Sequence, residues 1–193
     1  MGEFKRIKRE LAYQGSIMKI YKDYVEVNGK SAVWDFFHHN GGAAVVPVTK
    51  DGKILMVRQY RNAIDRFTLE IPAGAFDSAD ESGETCVARE LEEETGYKAG
   101  KVEWLMTSRS MVAFCNEKVE IFVATDLIPS EQHLDEEESI ELEEYTMEEL
   151  KEKIFKGEIQ DSKTVAGLLA YAVKYNKWMH IIKHQEMEGC VLE

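Results

Sequence analysis

Between residues 11 and 39 apolar and polar positions alternate, as in "IMKIYKDYVEV" (Ile17 to Val27) and "SAVWDFF" (Ser31 to Phe37). A period of two sends successive side chains to opposite faces of a strand. Asn28-Gly29 lies between these runs and supplies residues that tolerate positive φ, so a hairpin is predicted. "GGAAVVPVTKDGKILMVRQYR" (Gly41 to Arg61) repeats the arrangement around Asp51-Gly52, which predicts a second hairpin. "FTLEIPAG" reads as a short strand leaving into a loop at Pro72. Over residues 81–95 the period becomes helical, and Gly96 stands where a helix stops. "KVEWLMTSR" and "KVEIFVATDL" read as strands, "SEQHLDEEES" as an acidic loop, and "SIELEEYT" as a further strand. Thr146 with Glu149 three residues later forms a capping box opening a helix over 147–155. After Asp161, apolar Val165, Leu168, Leu169 and Ala172 share one face of another helix.

Many strands, a helix, more strands and two helices predict an α+β fold rather than a regularly alternating one. The strand-like first forty residues form a small sheet of their own on this reading. The units are then 1–40, a main domain over 41–178 and a tail over 179–193. A hydrophobic share of 44% in 193 residues suffices for a packed core. The formal charge of −12 disfavours nucleic acid and anionic membrane as partners. It leaves room for a small phosphorylated ligand, because a divalent cation reverses the local sign. Cys86, Cys115 and Cys190 have neither disulfide-framework nor zinc spacing, and free thiols suit a reducing cytoplasm. The N-terminus has no apolar signal segment, and no run reaches membrane-spanning length. The five histidines show no zinc spacing and receive no role.

"RELEEETGY" (Arg89 to Tyr97) packs four glutamates into nine residues. At 100° per residue, Glu90, Glu93 and Glu94 fall within an arc of about 100°, and Glu92 points away. Val87, Ala88, Leu91 and Thr95 fill the adjoining arc, the natural buried face. Only Glu92 has the placement of an ordinary solvated charge, and Arg89 stands one turn before Glu93, in reach of it. Three partly desolvated carboxylates that close cannot all ionise cheaply, and a hard divalent cation such as Mg²⁺ relieves the repulsion. The spacing alone also fits a solvated helix face.

The longer stretch "GAFDSADESGETCVARELEEETGY", just after "IPAG" (Ile71 to Gly74), resembles the box of the Nudix family. That pattern is G-x5-E-x7-R-E-U-x-E-E-x-G-U, where U is bulky and apolar. Glu81, Arg89-Glu90-Leu91, Glu93-Glu94, Gly96 and Tyr97 match it. Six residues rather than five separate Gly74 from Glu81, which puts the extra residue in the loop before the helix. "VRQYR", "LEIPAG" and "DEEESIELEE" extend the resemblance to the ADP-ribose pyrophosphatase branch, over most of residues 10–175.

The resemblance implies an α/β/α sandwich with a mixed sheet, plus an N-terminal antiparallel β domain that exchanges between subunits of a homodimer. It implies a hydrolase that uses Mg²⁺, with Mn²⁺ as a substitute, on a nucleoside diphosphate derivative. By position, Glu90, Glu94 and the carbonyl of Ala73 match metal ligands, and Glu93 a ligand or neighbouring carboxylate with a catalytic part. The general base comes from the later acidic loop. Glu136 and Glu138 both match, Glu136 slightly better; "LDEEES" also reads as a plain solvated turn. Glu117 matches a glutamate near the site, although "SRSMVAF" lacks the Pro-Gly many relatives carry there. Arg58, Arg61 and Glu70 are assigned to the substrate side. Arg61 matches the branch position better, and Arg58 fits a surface ion pair equally well. Trp34 matches an aromatic that stacks on adenine in some relatives, and His39 replaces an arginine found downstream of it.

The first substrate implied is ADP-ribose, cleaved to AMP and ribose 5-phosphate. Another nucleotide sugar such as GDP-mannose is the nearest alternative. A non-catalytic Nudix-fold nucleotide sensor is a second, which degraded box carboxylates would favour. An acidic interaction module without a ligand leaves the intact box unexplained.

Overall fold

The computed structural model describes residues 2–15, 18–134 and 139–175. An antiparallel sheet comes first, in the order β1 (Phe4–Gln14), β2 (Lys19–Val27), β3 (Lys30–His38). Asn28 and Gly29 turn between β2 and β3 with φ of 51° and 74°, the geometry the sequence predicted there. Arg9 grips the buried Asp23 through Nε and Nη2, both at 2.6 Å, and lies over the Phe36 ring. That contact ties all three strands together. The sheet joins the body near its last strand, where Phe37 N–H donates to Phe114 O at 2.7 Å.

The body is built on a four-stranded mixed sheet in the order β7 (Ala73–Ala75), β4 (Gly42–Pro47), β9 (Val119–Pro129), β8 (Tyr97–Ser108). β4 runs parallel to β9, and the other pairings are antiparallel. Every residue of β4 is buried, as a strand covered on both faces requires. Ala43 and Val45, with Phe122 and Ala124, pack against helix α1 (Gly83–Thr95). Ala44 and Val46, with Ile121 and Val123, pack on the opposite side against Leu150 of α2 (Met147–Phe155) and Leu168 of α3 (Ser162–Tyr175). Strict alternation along β4 and β9 thus feeds two cores, one per face, and yields the expected α/β/α arrangement. A second sheet, β10 (Ile140–Tyr145), β5 (Ile54–Arg61), β6 (Arg66–Glu70), adds Ile54, Met56 and Leu69 to the core under α2 and α3.

The second predicted hairpin is not formed. Asp51-Gly52 does turn, with Gly52 N–H donating to Thr49 O at 3.0 Å, but the pairing beside it stops at Thr49 N–H to Lys53 O, 2.9 Å, and an isolated Val48–Ile54 bridge, and β4 and β5 form no ladder. Both edges of β4 are occupied, by β7 and β9. The chain therefore crosses to a different sheet and pairs with β6 and β10 instead.

The helices begin and end where their caps stand. Ser82 accepts the N–H of Thr85 at 3.1 Å, so α1 starts at Gly83 rather than at residue 81, and it stops at Gly96 with φ 68°. The capping box at Thr146 and Glu149 is formed. On α1, Val87 and Leu91 are buried, each contributing about 1.5–3 kcal/mol. Ala88, expected on that face, is exposed, and Cys86 and Glu94 are buried with Val87. On α3, Leu168 and Ala172 are buried as expected, whereas Val165 and Leu169 are only half-buried. Thr164 and Gly167 take the remaining inner positions because the helix lies close to the sheet. A Cβ at Gly167 would stand 3.1 Å from Ile71 Cδ1.

Candidate active site

Strand β7 and the adjoining face of α1 bring the acidic box against main chain. The carboxylate of Glu94 is buried and accepts the N–H of Ala73 at 3.0 Å. Glu90 lies over Gly74, so near that a Cβ on residue 74 would fall 2.0 Å from its carboxyl carbon. Only a residue without a side chain lets that carboxylate sit there. Arg89 faces four carboxylates, with Nη1 at 2.6 Å from Glu90 and 3.0 Å from Glu93, and Nε at 3.2 Å from Asp77 and 3.4 Å from Glu81. Its Nη2 also donates to Ala75 O at 3.1 Å, which fastens α1 to the end of β7. Glu81 accepts the N–H of Asp77 at 2.7 Å, so the loop carrying the extra residue closes on itself. That N–H, with Arg89 beside it, holds the Glu81 carboxyl below its usual range.

Exposure along α1 departs from the helical wheel. The Glu93 side chain is 40% exposed and Glu92 28%. Glu92 is the more engaged because Ser130 donates to it at 2.7 Å and Lys98 stands 3.1 Å away. Cys86 is buried under the same strand, and burial pushes its thiol up to about 12, which rules out a thiolate nucleophile near neutral pH.

Among the described residues no group of three or more His, Cys, Asp or Glu side chains is spaced to close on one metal ion as it stands. The donor chemistry nevertheless fits a hard cation. Glu90, Glu93, Glu94 and the main chain at Ala73 would offer oxygen donors, and one guanidinium now balances four carboxylates, those of Glu90, Glu93, Asp77 and Glu81. Glu90 and Glu93 are drawn toward Arg89, and a change of side-chain torsion on either, at the edge of β7, is what a cation requires.

A cleft of about 270 Å³ opens beside this edge, with Ala73, Gly74 and Ala75 forming its floor. Arg61, Glu117, His39 and Lys163 are among the side chains around it. Arg61 holds Glu70 with a two-pronged grip, Nε to Oε1 at 2.7 Å and Nη2 to Oε2 at 2.6 Å. Thr68 donates to Glu70 at 2.6 Å, and Lys163 donates to it as well. Burial alone would raise the Glu70 carboxyl, but Arg61, Lys163 and Thr68 together hold it down at about 2. On the far wall Glu117 accepts from Ser110. His39 Nδ1 stands 3.6 Å from Glu117 and accepts the N–H of Gly41 at 3.0 Å.

The remaining expected residues fall elsewhere. Arg58 donates to Glu143, which also accepts from Tyr145, and it does not line the cleft. Trp34 is half-exposed on β3 with its ring 5.4 Å from Phe4, and it does not line the cleft of its own chain. Glu136, Glu138 and the tail 179–193 lie outside the described residues. His39 was noted in the sequence only as standing where relatives carry an arginine, and Asp161 and Lys163 were given no site role, because they read as helix-start residues. The "DSKT" run gave one available signal, a lysine at the second position of a helix, two residues after the acid at its start.

A model of the NUDIX domain matches residues 38–168. The chain belongs to the Nudix family. It is 37% identical over 186 residues to a methanol dehydrogenase activator of Bacillus methanolicus, covering 95% of this chain and 97% of that one. It is 35% identical over 187 residues to an ADP-ribose pyrophosphatase of Bacillus subtilis, covering 95% and 98%. Among solved structures, one described as an ADP compounds hydrolase matches with a TM-score of 0.78 over 95% of this chain and 96% of that one. At 20% identity that likeness speaks for the fold, and the Nudix fold is what the layers described above form.

Proposed function

We propose that this Nudix protein hydrolyses the diphosphate bond of a nucleoside diphosphate sugar, with ADP-ribose as substrate and AMP and ribose 5-phosphate as products. The observation that carries the reading is the placement of Glu94 on the Ala73 N–H and of Glu90 over Gly74, with Glu93 tied to Glu90 through Arg89, beside a cleft that Ala73, Gly74 and Arg61 all line. The similarity to an ADP-ribose pyrophosphatase over nearly the whole of both chains supports ADP-ribose as the substrate.

Glu90, Glu94 and the carbonyl of Ala73 would hold Mg²⁺, or Mn²⁺ in its place, with Glu93 as ligand or neighbour. Bound there, the ion supplies charge neutralisation on phosphate oxygens and eases proton loss from water. The chain's own residues do the rest. Arg61, fixed by Glu70, presents its outer N–H groups to the diphosphate and orients it. Arg89 Nη1 bridges Glu90 and Glu93 and offsets their mutual repulsion. A carboxylate from the loop over 130–139, Glu136 or Glu138, takes the proton of the attacking water, Glu136 being slightly favoured. Glu117 lies across the cleft, within reach of a substrate hydroxyl or phosphate-bound water. One P–O bond of the diphosphate breaks, and water adds to that phosphorus.

The protein is also proposed to be a homodimer. Phe4, Ile7, Leu11, Tyr13, Val33 and Trp34 are exposed apolar residues on the N-terminal sheet, a concentration that a second copy would cover. Trp34 then faces a ligand across the subunit boundary. Static light scattering reporting a monomer would remove this part of the reading. No described helix is long and apolar enough to cross a membrane. Together with free Cys86 and Cys115, this supports a cytoplasmic site of action.

The test is a panel of ADP-ribose, GDP-mannose, UDP-glucose, NADH and diadenosine polyphosphates, each with Mg²⁺ and with chelator. Turnover fastest on ADP-ribose is expected. Turnover on none of them favours the nucleotide-sensor alternative, and a preference for GDP-mannose moves the substrate within the class.

A further inference from the structure

Where the start of α3 reaches β5 and β6, four charged side chains form a chain of contacts: Arg61, Glu70, Lys163 and Asp161. Glu70 is the buried member at 2% exposure, and its two oxygens are divided between partners. Oε1 takes Arg61 Nε and the Thr68 hydroxyl; Oε2 takes Arg61 Nη2 and the Lys163 ammonium. The Lys163 ammonium also donates to Asp161 at 2.9 Å. Asp161 in turn is fixed by the N–H and hydroxyl of Thr164, at 3.0 and 2.6 Å. The cluster therefore runs from the backbone of a helix end to a guanidinium at the cleft.

Arg61 and Lys163 both border the cleft, and both also border a neighbouring hollow of about 410 Å³. The Arg61 side chain is 41% exposed, whereas Lys163 is 16% exposed and spends its donors inward. That asymmetry separates their tasks. A buried carboxylate needs its acceptor positions filled, because an unmatched charge in a shielded site is costly. With Lys163 in place, Oε2 of Glu70 is held from two sides, by Arg61 Nη2 and by the Lys163 ammonium, and the outer edge of Arg61 stays turned to the cleft. Without Lys163, Oε2 keeps Arg61 Nη2 alone, the Glu70 carboxylate loses the anchor that fixes its side-chain torsions, and Arg61, bound to both of its oxygens, turns with it and carries its outer edge away from a ligand.

We infer that Lys163 is a positioning residue for the diphosphate, acting through Glu70 to hold Arg61 toward the cleft. The inference takes its ligand class from the function proposed above.

The test is a double-mutant cycle on the full chain with Lys163→Met, Arg61→Met and the pair. Equilibrium binding of ADP in chelator is read by calorimetry, and KM and kcat for ADP-ribose are read with Mg²⁺. Lys163→Met is expected to weaken ADP binding about tenfold, the size of one charged contact. KM should rise by a similar factor with kcat little changed. In the Arg61→Met background the same substitution should add nothing, and Lys163→Arg should restore binding. Equal losses in both backgrounds, or no loss in either, overturn the inference, as does a wild-type protein that binds no ADP. Should Lys163→Met fail to fold, Lys163→Gln, which keeps a donor for Glu70 without the charge, is put through the same cycle. A cycle that behaves as expected in a protein that does not cleave ADP-ribose contradicts the hydrolytic reading and leaves this one standing.

Discussion

The carboxylate of Glu94 accepts the backbone N–H of Ala73 at 3.0 Å, across the gap between α1 and β7. A side chain assigned to cation binding thus also braces the strand whose carbonyl is assigned to the same ion. The two tasks separate by substitution. Glu94→Gln retains an oxygen acceptor, so unfolding free energy should change little while turnover falls about 100-fold or more. Glu94→Ala leaves the Ala73 N–H unmatched and should additionally cost about 1–3 kcal/mol in urea unfolding. Full turnover in Glu94→Gln would contradict the assignment.

Gly74→Ala tests the close approach of Glu90. The added Cβ would stand 2.0 Å from the Glu90 carboxyl group, the far end of a flexible side chain. The fold should therefore survive, with the thermal midpoint changed only slightly. The carboxylate must swing off its place, so activity should be lost. Activity within twofold of wild type would show that Glu90 works from another position.

Mg²⁺ should stabilise the folded chain even without substrate. A ligand that binds only the native state adds about 2.7 kcal/mol at one hundred times its dissociation constant. Melting followed against Mg²⁺ concentration should show a rising midpoint, reversed by chelator and absent in Glu94→Gln. A midpoint that does not respond in the wild type counts against a metal site at α1.

Acid should draw part of its destabilising effect from Glu70. Its carboxyl is held at about 2, below the ordinary 4.5, so the stabilisation is complete above pH 4.5 and is lost as the pH falls toward 2. The amount is about 3 kcal/mol for a group so shielded. Glu70→Gln should remove this part of the pH dependence and destabilise the protein at pH 7, where Arg61 and Lys163 lose their counter-charge. Denaturant midpoints from pH 7 down to 3 measure it. An unchanged slope in the variant would place the acid sensitivity elsewhere.

What the sequence made legible follows from what kind of signal each feature leaves. Local chemistry was readable: Asn28-Gly29 turned as expected, Thr146 and Glu149 formed their box, and Gly96 ended α1. Pairing between distant strands was not, because Asp51-Gly52 marks a turn without saying which edge the next strand finds. That β4 has both edges filled, by β7 and β9, is a fact of the assembled sheet. The glutamate face of α1 was readable from helical geometry, but the relative exposure of Glu92 and Glu93 depended on Ser130, just after β9, and Lys98 of β8. Lys163 was invisible for the same reason, since its partner Glu70 is 93 positions away in the chain.

The most direct test of the whole account is AMP formation from ADP-ribose, separated and quantified as Mg²⁺ is titrated into metal-free enzyme, for the wild type and for Glu90→Gln. The account predicts AMP and ribose 5-phosphate in equal amounts, rising with Mg²⁺ to saturation in the wild type and reduced about 100-fold or more in the variant. Equal rates in the two proteins, or hydrolysis that proceeds undiminished in chelator, would contradict it.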